Sequence, residues 1–73
     1  MKTLMIYGAA GYTGGMAAEH AASAGIHLVV AGRAKDRESL DILAGRLGAD
    51  IRLFSLDDPE AIARGLEGIF VLL

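Results

Sequence analysis

The chain contains no cysteine, and only 5% of its 73 residues are aromatic. Disulfides, a common support of small folds, are therefore excluded. The two histidines, His20 and His27, lie seven positions apart with no other soft ligand nearby, so we expect no structural zinc site. A chain this short buries only about 60% of its unfolded surface, so its core is marginal. The lack of cysteine fits a reducing interior, and we expect a cytoplasmic location.

The sequence also lacks a block of like charge and a long hydrophobic run. Its net charge is −2, with acids and bases interspersed, which indicates neither a nucleic-acid surface nor a disordered tail. Its apolar runs are far shorter than the ~20 residues needed to cross a bilayer. The amino-terminal run breaks at Gly8, too early for a signal peptide. We therefore expect no nucleic-acid partner and no membrane partner.

What the chain does contain is a regular alternation of short apolar runs and helical segments. Hydrophobic residues make up 53% of it, which is typical of strands and helices covered on both sides. The apolar runs predict four strands, at 3–7, 27–31, 51–55 and 69–73. The segments between them predict three helices, at 14–24, between Asp36 and Gly48, and from Pro59 onward.

Capping residues support the second and third predicted helices. Asp36 stands where it can cap the start of the second helix, and Gly48 where it can end it. Asp58 precedes Pro59, which suits the first helical position because its missing N–H is not needed there.

The order β-α-β-α-β-α-β implies right-handed crossovers and a parallel sheet. We predict an α/β fold of Rossmann type, with strand order 3-2-1-4 for the first half of a doubly wound sheet. A buried parallel strand rarely ends a natural protein, so we expect residues 1–73 to be a partial NAD(P)-binding domain from a longer polypeptide. The alternative is a natural minimal domain. A bare edge strand would invite pairing, so copies of the chain could associate as a homo-oligomer.

Three glycines, Gly8, Gly11 and Gly14, follow the first strand with the spacing G-x-x-G-x-x-G. Unpaired amides and the dipole at a helix N-terminus attract an anion, but side chains obstruct its approach. We expect Gly8 to allow a tight turn, Gly11 to admit a diphosphate, and Gly14, or its neighbour Gly15, to let the helix pack closely on the sheet. A triplet alone also fits a turn without a ligand, but its place in a βαβ unit favours a dinucleotide.

No Gly-Lys-Ser/Thr closes the motif, which disfavours a Walker-type phosphate loop. Tyr12 and Thr13 lie inside the loop, where a hydroxyl or a backbone N–H could contact phosphate, although Tyr12 could equally cover the glycines. The cofactor-binding residues predicted in this loop are Gly8, Ala10, Gly11, Tyr12, Thr13 and Gly14.

Arg33 follows the second strand, where a NAD site would carry an acid for the ribose hydroxyls. Its forked guanidinium suits a 2′-phosphate, so we predict NADP(H) as the cofactor, with NAD(H) less favoured. The alternative is a solvated loop residue. Lys35 and Arg37 are expected to face solvent, and Asp36 to cap its helix rather than bind ribose.

The segment FSLDDP after the third strand faces the expected adenine end of the cofactor. Ser55 and Leu56 could flank the base and Asp57 could accept from its amino group. The alternative is that Asp57 and Asp58 only form a turn and a helix cap. We identify no catalytic residue, since the sequence shows no Ser/His/Asp set, no paired carboxylates and no Tyr-x-x-x-Lys pair; His20 is expected to be a partly exposed helix residue.

Three segments together, IYGAAGYTGG, VVAGR and LAGRLGADIRLFSLDDPEAIARGLEGIFVLL, resemble the N-terminal NADP-binding part of the saccharopine dehydrogenase-like oxidoreductases. That group includes bacterial trans-acting enoyl reductase relatives, and the resemblance covers essentially the whole chain. It implies that the glycine loop binds the diphosphate and Arg33 the 2′-phosphate. Many relatives carry an acid where Ser55 stands. In the family, the strand that here ends at Leu73 runs on into a loop near the nicotinamide.

The resemblance implies an oxidoreductase that transfers hydride between NADP(H) and a small-molecule substrate bound by a further domain. We expect the 73-residue chain alone to be inactive. The alternative is a non-catalytic NADP-binding sensor of the atypical short-chain dehydrogenase type, which shares the loop. Acyl-phosphate reductases of the N-acetyl-glutamyl-phosphate type also contain GYTG, but VVAGR fits them poorly.

Overall fold

The computed structural model describes residues 3–69 together with Val71 and Leu72. Strands and helices alternate along them as predicted. The strands are β1 (Thr3–Tyr7), β2 (His27–Gly32), β3 (Asp50–Leu53) and β4 (Val71–Leu72). The helices are α1 (Tyr12–Ser23), α2 (Arg37–Leu47) and α3 (Pro59–Gly65), and a short 3-10 helix, Ala34–Asp36, precedes α2.

The four strands form one parallel sheet in the order β3-β2-β1-β4, which confirms the predicted Rossmann-type α/β fold. Strand β1 pairs with β2 from Thr3 opposite His27 to Tyr7 opposite Ala31. Because all four strands run in one direction, their carboxyl ends lie along one edge of the sheet. The segments that follow β1, β2 and β3 therefore begin at that edge, where ligands bind in open α/β sheets.

The core lies on both faces of the sheet, because successive strand residues point to opposite sides. On one face, buried Ile6 and Val30 pack with Leu40 of α2 and with alanines of α1. On the other face, buried Met5 and Val29 pack with half-buried residues that include Leu66 at the end of α3. Both faces of β1 and β2 are thus covered, as the apolar strands predicted.

Several element boundaries differ from the prediction. Helix α1 begins at Tyr12, two residues before the predicted start, since the glycines do not prevent helical backbone there. Strand β3 ends at Leu53 instead of residue 55, because β2 has no residue beyond Gly32 left to pair with it. Of the predicted strand 69–73, Val71 and Leu72 are strand, Ile69 is not, and residues 70 and 73 lie outside the described residues.

The capping predictions had different outcomes. Gly48 ends α2 in the left-handed conformation, with φ of 68°, and Asp58 caps α3 through its carboxylate, as predicted. The side chain of Asp36 makes no capping hydrogen bond, so that prediction is wrong. The reason is local: Asp36 ends the 3-10 helix with φ of −97° and ψ of 8°, not in the extended backbone that aims a cap at the helix amides.

Within the described residues, no helix is long and apolar enough to cross a membrane.

We expect the substitution Asp58→Ala to lower the free energy of unfolding by about 1 kcal/mol, because it removes the cap of a short helix. The Asp58 carboxylate accepts from the amides of Glu60 and Ala61 at 3.0 and 3.3 Å. Urea denaturation followed by circular dichroism measures the change. Asp57→Ala is the matched control, because the capping bonds belong to the neighbouring carboxylate. Equal losses in both variants would contradict the assignment of the cap.

Candidate functional site

A tight turn joins β1 to α1 at the carboxyl edge of the sheet. Gly8 has φ of 79°, a conformation that glycine adopts without strain. Its N–H donates to the carbonyl of Ala31 at 2.8 Å, and the N–H of Ala9 donates to the same oxygen at 3.3 Å. Two hydrogen bonds therefore anchor the start of the loop to the end of β2.

Gly14 marks the closest approach of α1 to this turn. A Cβ atom at Gly14 would overlap the carbonyl oxygen of Gly8 and lie 3.0 Å from Cα of Ala9. A Cβ at Gly11 would lie 3.4 Å from the same carbonyl oxygen, which is a much milder contact. Gly14 does allow close packing, as predicted, but its partner is the turn itself and not the strands of the sheet.

The first turn of α1 presents amides without protein acceptors. Among the residues that the structure describes, the backbone N–H groups of Tyr12, Thr13 and Gly14 have no hydrogen-bond acceptor. Gly11 stands before the helix in extended backbone and offers no side chain to cap it. No acid lies in the first turn, so nothing there repels an anion. The helix dipole and these amides favour a negatively charged group at this position.

Of the other loop amides, that of Ala10 also has no acceptor among the described residues, while those of Gly8, Ala9, Gly11 and Gly15 have partners. The N–H of Gly11 donates to the carbonyl of Gly8 at 3.0 Å, and that of Gly15 donates to Gly11 at 2.8 Å. Gly8 and Gly11 therefore shape the loop, and the amides left for a ligand belong to Ala10 and to residues 12–14.

Basic residues follow β2 at the same edge. Arg33 and Lys35 are exposed, and neither lies within 4.0 Å of a carboxylate among the described residues. Arg37 differs, because its Nε lies 3.6 Å from a carboxylate oxygen of Asp41 one turn later in α2. Arg33 and Lys35 are thus the cations available to a ligand beside the glycine loop.

The side chain of Asp36, predicted to cap α2, lies beside the end of β2 instead. Its Oδ2 would lie 3.8 Å from a Cβ atom built on Gly32, the last residue of β2. With no capping bond to make, this carboxylate faces the end of the strand, where a ribose acceptor would stand in a NAD site.

The loop after β3 supplies the remaining predicted contacts. Ser55, Leu56 and Asp57 are exposed, and the Oγ of Ser55 accepts from the N–H of Asp57 at 3.1 Å. This bond stabilises a turn over Ser55–Asp57, which agrees with the interpretation of Asp57 as a turn residue. The side chain of Leu56, 56% exposed, lies on the loop surface.

The topology brings all ten predicted site residues to one side of the molecule. They follow β1, β2 and β3 at the carboxyl edge, and the strand order reverses between β1 and β4, the point where doubly wound sheets bind ligands. Sequence reasoning missed a shallow groove of about 310 Å³ between α1 and α2, although the apolar Met16 and Ile42 on its rim were a signal. It also missed a contact between Tyr7 and Phe54.

No protein-family model and no curated protein sequence matches the chain. Solved structures do match it, among them the orthorhombic and tetragonal crystal structures of the bulky-bulky ketone specific alcohol dehydrogenase from Comamonas testosteroni. Each has a TM-score of 0.79 and 28% sequence identity, over 99% of this chain.

The chain spans 33% and 34% of the length of those two structures, about a third of the dehydrogenase. Both comparisons support a Rossmann-type domain of the oxidoreductase kind. The assignment to the saccharopine dehydrogenase-like family rests on the sequence motifs alone.

We expect Gly14→Ala to unfold the loop or lower the free energy of unfolding by about 2 kcal/mol or more, since its Cβ overlaps backbone that cannot move aside. The matched control is Gly45→Ala within α2, where a Cβ meets nothing within 4 Å. That variant should gain about 0.5–1 kcal/mol, because alanine favours helix over glycine. Thermal and urea denaturation measure both. A Gly14→Ala protein as stable as the wild type would show that the loop is not packed as described.

Proposed function

We propose that the chain binds NADP(H) and forms the cofactor-binding part of an oxidoreductase. The observation that carries the proposal is the set of three open amides at residues 12–14, held at the switch point of a parallel sheet by a turn that excludes side chains. Such an arrangement suits the diphosphate of a dinucleotide. The likeness to an alcohol dehydrogenase supports this choice over other phosphate ligands.

The three loops at the carboxyl edge then have different roles in binding. The loop from Gly8 to Gly14 receives the diphosphate through its amides, and the guanidinium of Arg33 pairs with the 2′-phosphate, assisted by Lys35. Leu56 offers an apolar surface to the adenine, and the carboxylate of Asp57 accepts from its amino group. The available cations beside β2 support NADP(H) over NAD(H).

The cofactor would supply the hydride chemistry, and this chain would bind and orient it. With the diphosphate on α1 and the adenosine beside β2 and β3, the nicotinamide extends toward the ends of β1 and β4. We propose that residues 1–73 are the first half of a larger doubly wound domain, of saccharopine dehydrogenase-like type as the motifs indicate. A small-molecule substrate would be held by residues outside this chain, in a cytoplasmic enzyme.

The preference for the 2′-phosphate can be tested with Arg33→Ala. We expect this change to weaken NADPH binding about 10- to 100-fold, since hydrogen bonds to charged groups contribute about 1.5–3 kcal/mol, and to alter NADH binding less than about twofold. Isothermal titration calorimetry with both cofactors measures this. Arg64→Ala, which removes an exposed guanidinium from α3, is the control for net charge. Equal affinity of the wild-type chain for the two cofactors would rule out the 2′-phosphate assignment.

The substitution Asp36→Asn is a second test of whether the site prefers NADP(H) or NAD(H), independent of Arg33→Ala. If the site takes a 2′-phosphate, removing the carboxylate relieves repulsion, and we expect NADPH to bind as tightly as to the wild type or about two- to fivefold tighter. If Asp36 instead accepts from the ribose hydroxyls of NADH, the same change weakens NADH binding. A wild-type chain that binds NADH more tightly than NADPH, and loses that NADH affinity in Asp36→Asn, would identify NAD(H) as the cofactor.

A further inference from the structure

A side-chain contact joins the ends of two strands that are not neighbours in the sheet. The hydroxyl of Tyr7, the last residue of β1, donates to the carbonyl oxygen of Phe54, just past β3, at 2.6 Å. Their rings also pack, with centroids 5.1 Å apart and planes inclined by 52°. Both side chains are half-buried on the sheet face against which Leu66 and Ile69, the residues after α3, also pack. Strand β2 lies between them, so no ladder hydrogen bond connects β1 to β3.

The two residues stand at the roots of the two loops that the proposed site uses. Tyr7 immediately precedes Gly8, where the glycine loop begins. Phe54 immediately precedes Ser55–Asp57, the loop assigned to the adenine. Neighbouring strands in a sheet are about 4.8 Å apart. Because β2 lies between them, β1 and β3 are about 9.6 Å apart, a distance that a tyrosine side chain can bridge.

The acceptor end of this bridge is held rigidly. The ring of Phe54 occupies the space beside Gly65, where a Cβ atom would lie 2.5 Å from two of the ring carbons. The end of α3 is fixed in turn by Arg52 of β3, whose Nη1 donates to the carbonyls of Gly65 and Glu67 at 2.7 and 2.6 Å. The N–H of Phe54 donates to Gly32 of β2 at 3.0 Å. The Phe54 carbonyl is therefore a fixed point to which Tyr7 ties β1.

We propose that Tyr7 is a positioning residue that sets the separation between the glycine loop and the β3–α3 loop for one dinucleotide. The inference rests on the proposed function, because it assigns the two loops to the two ends of an adenosine diphosphate unit. A ligand that engages both loops gains affinity when their separation is fixed in advance. A ligand that engages only the adenosine side gains nothing from it.

The test is Tyr7→Phe, which keeps the ring and deletes only the hydroxyl. Calorimetry with NADPH, which spans both loops, is compared with 2′-AMP, which has the adenine and the 2′-phosphate but no diphosphate. We expect NADPH to bind about fivefold more weakly, the effect of about one hydrogen bond, while 2′-AMP binding changes less than about twofold. The ratio of the two affinities does not depend on the fraction of protein that is folded, so a loss of stability alone leaves it unchanged.

Thr3→Val is the matched control, since it deletes a hydroxyl that contacts Nδ1 of His27 at 2.8 Å at the opposite end of β1. We expect it to leave the affinity ratio at the wild-type value. An unchanged ratio in Tyr7→Phe, or an equal loss for both ligands, would overturn the positioning role while leaving the proposed function in place. A wild-type chain that binds 2′-AMP and NADPH equally well would also overturn it. Failure of the wild type to bind either ligand would remove the proposed function itself, and the inference with it.

Discussion

The structure depends on how closely the first helix approaches the turn that precedes it. Gly14 lies so near the carbonyl of Gly8 that any side chain there would overlap backbone. This approach places the first turn of α1 at the carboxyl edge of the sheet, where the amides of residues 12–14 have no acceptor among the described residues. Since the same turn is tied to Ala31 by two hydrogen bonds, the position of the amides is set by β2 as well as by β1.

The order of the strands brings the glycine loop together with two other loops at one edge of the sheet. With β2 beside β1 and β3 beyond it, three consecutive loops begin at one edge, and each carries a different chemistry: amides after β1, cations after β2, and an apolar residue with a carboxylate after β3. In the proposed function they are assigned, in order, to the diphosphate, the 2′-phosphate and the adenine of NADP(H). The Tyr7–Phe54 contact joins the starts of the first and third of these loops across β2. The separation of the two loops therefore depends on side chains that pack on the same sheet face as Met5 and Val29.

Local signals in the sequence were enough to predict the elements, the strand order and the glycine loop, because apolar periodicity, glycine stops and the Asp58–Pro59 cap act over a few residues. The contacts that sequence reasoning missed or misjudged depend on tertiary structure. Asp36 has the right residue type for a cap, but the 3-10 helix turns its backbone away from that role. The partner of Gly14 is the turn, and the hydroxyl of Tyr7 reaches a residue 47 positions away, which no local pattern reports.

The most direct measurement is a titration of the isotopically labelled chain with NADPH, followed by the amide resonances of the glycine loop. If the open amides bind the diphosphate, those of Tyr12, Thr13 and Gly14 should shift most, as new hydrogen bonds to phosphate form. The amides of Gly8 and Gly11, which already donate within the protein, should shift less. If saturating NADPH shifts amide resonances elsewhere but leaves those of residues 12–14 unchanged, the diphosphate does not bind at the start of α1.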